Sequence, residues 1–98
     1  MNSEQVIAKL REHEPELRAA GVLHLSLFGS TARGDHRPDS DIDLLAAFDE
    51  TRRISLLDVA GIEIQLSSLL GQAVELVEEG TLRLRAQQSV KAEALRAF

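Results

Sequence analysis

Hydrophobic residues recur along this 98-residue chain with two different periods, and each switch between them marks an element. Over residues 3–20, Val6, Ile7, Leu10 and Leu17 fall roughly on one helical face together with Glu14, and Gly21 ends the pattern. Pro15 lacks the N–H that a helix interior uses, so this helix is expected to kink or divide there. Residues 22–28 (VLHLSLF) alternate with period two. That places Leu23, Leu25 and Leu27 on one side of a strand and His24, Ser26 and Phe28 on the other. Gly29-Ser30 closes the strand, residues 31–34 have room for one helical turn, and DHRPDS is loop by composition. Residues 41–48 form a second strand, whose nearly unbroken apolar run suits burial on both faces. Ser55 and Asp58 have capping-box spacing and open a helix to about Leu70, with Gly71 as its terminal cap. AVELV (73–77) is a third short strand, and a final helix from Thr81 onward ends in KAEALRAF. Helix, strand, strand, helix, strand, helix gives an α/β fold in which a small mixed β-sheet is flanked by helices.

Length and composition narrow the class. Ninety-eight residues make one domain, 1–98, with room for one core. Three Phe, no Tyr and no Trp leave the core to aliphatic side chains and offer no aromatic platform for stacking bases. A net charge of -5 weighs against general nucleic-acid binding, which needs a basic face to displace counterions. The absence of cysteine removes disulfides, thiolate chemistry and zinc–sulfur sites. MNSEQVIAKL carries charge too early for a signal peptide, and no apolar run approaches membrane-spanning length, so a cytoplasmic protein with no membrane contact is expected.

Chemistry concentrates in residues 28–48. Asp41 and Asp43 lie two apart in the second strand, so they share a face while Ile42 and Leu44 take the other. Carboxylates about 7 Å apart along a strand repel unless a cation lies between them. Mg²⁺ is the economical choice, since it takes oxygen ligands and is commonly held by one or two carboxylates together with substrate phosphates. Gly29 lets the chain turn sharply and lets a ligand approach. The Ser30 hydroxyl and the Arg33 guanidinium could then reach the same phosphates. Glu75, between Val74 and Leu76, would point to the aspartates' face if its strand pairs alongside theirs, and could take the proton of an attacking hydroxyl. Blander roles stand beside these: Arg33 pairing with Asp35 or Asp39, and Ser40 starting the strand rather than touching phosphate. Neither His24 nor His36 has a partner at metal-ligand spacing. Glu63, near the apolar stripe of its helix, could meet a basic residue or mark a partner surface.

Gly29-Ser30, ten residues, then Asp41-Ile42-Asp43 resembles the signature of the polymerase-β-like nucleotidyltransferase superfamily. The longer pattern GSTARGDHRPDSDIDLL, followed by a helix and VELV, is similar to the minimal nucleotidyltransferases that form the antitoxin half of HEPN–MNT toxin–antitoxin pairs. The resemblance runs from about Leu23 into the last helix. It implies a polymerase-β-like core, with Asp41, Asp43 and Glu75 as catalytic carboxylates and ligands of two Mg²⁺ ions, and Gly29 and Ser30 as triphosphate contacts, to which Arg33 and Ser40 are candidate additions. It also implies transfer of AMP from ATP to a hydroxyl, typically a tyrosine of the cognate HEPN toxin; the choice between a homo-oligomer and a hetero-oligomer is open. Many members carry aspartate at the third position, where the extra methylene of Glu75 changes reach.

Two other functions fit the same residues. An antitoxin could neutralise its partner by binding alone, through Leu84, Val90 and Phe98 on the last helix. A small-molecule nucleotidyltransferase of the aminoglycoside-modifying kind shares the signature but carries a further sugar-binding domain.

Overall fold

In the computed structural model, which describes residues 2–34, 41–81 and 93–98, the first helical segment is divided. Asn2 and Gln5 form a reciprocal capping box, each side chain bonding the other's backbone N–H at 2.9–3.0 Å, and open α1 (Ser3–Glu12). The chain breaks at His13. Pro15 then sits in the first turn of α2 (Glu14–Ala19), where its missing N–H costs nothing. The following elements are β1 (Val22–Phe28), α3 (Gly29–Arg33), β2 (Ile42–Phe48), α4 (Leu56–Leu70), β3 (Val74–Glu78), a 3₁₀ turn (Glu79–Thr81) and β4 (Leu95–Arg96). The Ser55–Asp58 capping box and the left-handed Gly71 cap bound α4 as the sequence predicts.

The four strands form one mixed sheet in the order β3-β2-β1-β4. β1 runs antiparallel to β2 and β4, while β2 and β3 are parallel, joined by the α4 crossover that a parallel pair requires. The pairing of Val22 with Phe48 and His24 with Ala47 leaves an extra residue in β1. This bulge corrects the simple alternation: Val22, Leu25 and Leu27 face the core, and Leu23 is 41% exposed.

One face of the sheet is closed by helices. Leu25, Leu27, Ile42, Leu44, Ala46 and Val74 pack there in a single buried cluster with Val6 and Leu10 of α1 and Ile62, Leu66 and Leu70 of α4. Helix α4 also protects the sheet edge. The Ser67 Oγ accepts from the Val74 N–H at 3.1 Å, and the Glu63 carboxylate accepts from the Leu76 N–H at 3.3 Å. Two β3 donors are therefore satisfied by side chains of the adjacent helix rather than left for another strand. Glu63, whose role the sequence leaves open, is an edge cap.

The chain end differs from expectation. Residues 95–98 do not finish a helix but lie along β1, with Ser26 opposite Arg96 and Leu27 opposite Leu95. The Ala97 N–H donates to the Leu25 carbonyl at 2.9 Å, and the Leu25 N–H donates to the Phe98 carbonyl at 3.1 Å. Backbone groups on the outer edge of β1 need partners, and supplying them outweighs the helical propensity of residues 95–98. Phe98 is buried, with the Arg18 guanidinium 5.0 Å from its ring centroid, so it is not the exposed contact residue expected. Leu84 and Val90 lie outside the described residues, as does the rest of the predicted helix between 82 and 92.

Candidate active site

The opposite face of the sheet carries the polar chemistry. Register aligns Phe28 of β1, Asp43 of β2 and Glu75 of β3 in one row across three strands. The next row is Ser26, Leu45 and Val77. Asp41, exposed just before β2, shares the parity of Asp43.

Immediately after Phe28 the chain turns at Gly29 with φ +74, a left-handed conformation that glycine adopts without penalty. A side chain there would also collide with the Asp43 carboxylate, since an added Cβ would run into its Oδ2. The glycine-serine bend and the second aspartate are therefore packed directly together. Ser30 follows, half-buried in the first turn of α3.

Asp43 is held above its ordinary carboxylate pKa. Burial is the largest cause, followed by a hydrogen bond with the Glu75 side chain, then by the charges of Glu75 and Asp41. Arg33 opposes the shift. The Glu75 side chain thus both hydrogen-bonds Asp43 and opposes its charge across the β2–β3 pair. Arg33 reaches Glu93, sixty residues away, at 3.5 Å. Asp35, His36, Asp39 and Ser40 lie outside the described residues.

Together these contacts place Asp43, Glu75, Gly29 and Arg33 in one site, with Asp41 acting on it through charge. Among the described residues no three carboxylate or imidazole side chains form a complete metal-binding cluster. The donor set fits a hard divalent cation that brings further oxygen ligands with it: oxygen-only, mutually repulsive, and packed against the Gly29 bend.

A family model described as a nucleotidyltransferase domain matches residues 4–97. This chain belongs to that family. The nucleotidyltransferase is 37% identical over 93 residues to the protein adenylyltransferase MntA of Thermococcus cleftensis, covering 94% of this chain and 92% of that one. A solved structure given as a minimal nucleotidyltransferase superposes with a TM-score of 0.79 at 43% identity, covering 97% of this chain and 95% of the other. The fold is shared as well by a solved toxin–antitoxin structure with AMP-PNP, at a TM-score of 0.71 and 22% identity, covering all of this chain and 73% of that one.

Two features next to the candidate site escape sequence reasoning. Thr31, beside Ser30 in α3, is buried, and only its place in the run G-S-T hinted at it. Glu93 meets Arg33 through the tertiary fold, with no local signal at all. Away from the site, His24 accepts a hydrogen bond from Arg96 at its Nδ1, 2.6 Å away, across the β1–β4 edge.

Proposed function

We propose that this nucleotidyltransferase moves AMP from ATP to a hydroxyl, a tyrosine in the first instance, of a HEPN-type toxin, and so acts as its antitoxin. The observation that carries the reading is the direct packing of the Gly29 bend on Asp43. It brings the glycine-serine bend against a carboxylate whose charge its neighbours oppose.

In this reading Asp41, Asp43 and Glu75 hold two Mg²⁺ ions, which would draw charge from the α-phosphoryl group and the departing pyrophosphate. The backbone after Gly29 and the Ser30 hydroxyl bind phosphate oxygens, with Ser40 as a further hydroxyl. Arg33 exchanges its contact with Glu93 for a charge-assisted bond to the same phosphates. Bound cation would favour the ionised form of Asp43 against the burial and neighbouring charges that raise its pKa. Glu75 then accepts the proton of the acceptor hydroxyl. The acceptor oxygen bonds to the α-phosphorus, and the bond to the bridging oxygen breaks, so that pyrophosphate departs with the electron pair. Phe28 and Leu45 line the rest of the sheet face. The acceptor side chain must come from another protein.

The test uses ATP labelled at the α-phosphate, Mg²⁺, this protein and its HEPN-type partner. Label is expected on the partner, and it is expected to vanish with Asp41→Asn plus Asp43→Asn while the complex still forms. Neutralisation that persists in the double variant, with no label at any stage, would replace the catalytic reading by one of binding alone.

A further inference from the structure

Helix α4 buries Ile62, Leu66 and Leu70 against the sheet, yet its other side is also apolar. Leu56, Leu57 and Ile64 are 88%, 83% and 71% exposed. They stand with Ala60 on the helix side turned from the core. Scattered surface leucines need no explanation, but a stripe of large aliphatic residues along one helix does. Gly61 adds a second oddity. It lies in the helix interior, where glycine is among the poorest choices, and a Cβ there would have nothing within 4 Å. Neither the backbone nor the packing of this chain asks for glycine at that point. A helix from another molecule crossing there would.

Beside Gly61 runs a groove of about 380 Å³, walled by Ala20, Ile54, Leu57 and Gln65. One surface therefore carries both protruding aliphatic side chains and a concavity to receive them. It also carries both signs of charge. Arg53 lies on the groove wall, exposed and with no side-chain partner among the described residues. Asp58, on the same wall, is kept ionised by hydrogen bonds from Ser55. A two-fold axis through such a patch sets knob against groove and cation against anion twice, the self-complementarity that an isologous dimer requires.

We infer that the outer face of α4 is the contact by which two copies of this chain pair back to back, crossing at Gly61. The choice of a second copy over the protein substrate rests on the function proposed above. The substrate's hydroxyl must reach Asp43 on the opposite face of the sheet, so docking on α4 cannot deliver it. Pairing through α4 leaves both reaction faces open. The helix is only about 22 Å long, so the contact falls at the small end of specific interfaces and the dimer is concentration-dependent.

Sedimentation velocity on the full chain from about 1 μM to about 1 mM reads this directly. The wild-type mass is expected to climb from one chain to two. Ile64→Glu and Gly61→Leu are each expected to weaken pairing at least about tenfold, with circular dichroism and melting confirming an intact fold. Gly61→Leu is informative because a Cβ at this position meets nothing within 4 Å inside one chain. A wild type that stays a single chain throughout, or variants that pair as well as wild type, overturns the inference. A single-chain wild type whose complex with the HEPN-type partner is abolished by Ile64→Glu would assign the face to that partner and overturn it equally. These measurements do not read AMP transfer, so pairing and catalysis can fail independently.

Discussion

The two faces of β2 are one residue apart in sequence and opposite in physics. Ile42, Leu44 and Ala46 are buried beneath the helices, where each apolar contact adds stability. Asp43, between the first two, faces the other way into a site where burial and two neighbouring carboxylates work against its charge. The helix-covered face holds the fold together; the open face stores an electrostatic conflict that a cation or a proton relieves. The comparison teaches where stability and activity part company. A change that repairs the open face should make the protein more robust and less useful.

Substitutions at four positions sharpen that contrast, taken in order of their effect on stability. Leu44→Ala deletes a fully buried side chain at the centre of the covered face and should cost about 2–5 kcal/mol, read as a shift in urea midpoint. A loss of that size is a large share of the roughly 5–15 kcal/mol that holds a domain. Gly29→Ala should cost about 1–2 kcal/mol through its left-handed backbone alone. Its Cβ also displaces the Asp43 carboxylate, so transfer activity should fall further than stability does. Glu63→Ala leaves the Leu76 N–H without its acceptor and should cost about 1 kcal/mol. Glu63→Gln, which keeps an oxygen in place, should cost less.

Asp43→Asn has the smallest effect on stability and the opposite sign. Because the folded-state pKa of Asp43 is raised, the folded protein keeps a proton that the unfolded chain has already released. Below the unfolded carboxylate pKa the site is neutral to stability. As pH rises through the interval up to the raised folded-state pKa, stability drains away, and above it the full penalty remains. Without divalent cation at pH 7, Asp43→Asn should therefore melt above wild type, while its AMP transfer falls by about 10²-fold or more. Melting scans between pH 4 and 8 should show the wild-type decline and its absence in the variant. A variant that melts below wild type at neutral pH would deny the conflict on the open face.

Sequence made the covered face legible because its signals are local and periodic. The span of β1 and both caps of α4 follow from alternation, glycine placement and the Ser55–Asp58 spacing. The candidate site was legible in part: a strand parity argument suffices to place Asp41 with Asp43, and β2–β3 pairing brings Glu75 beside them. What could not be read depends on contacts between distant segments. Leu95 and Arg96 are too few to show a strand period, and only the free edge of β1 makes them one. The β1 bulge that exposes Leu23 is a matter of register with β2. Glu63 looks like an interrupted helix stripe until β3 lies beside it, and Arg33 meets Glu93 only once β4 has folded back along β1.

The central claim is that the Gly29 bend and the Asp43–Glu75 pair form one cation-dependent nucleotide site. Isothermal titration of wild type and Asp43→Asn with a non-hydrolysable ATP analogue, with and without Mg²⁺, tests it most directly. The account predicts binding by wild type that requires Mg²⁺ and is lost on removing the cation or the Asp43 charge. Equal binding by both proteins, or binding indifferent to Mg²⁺, would contradict it.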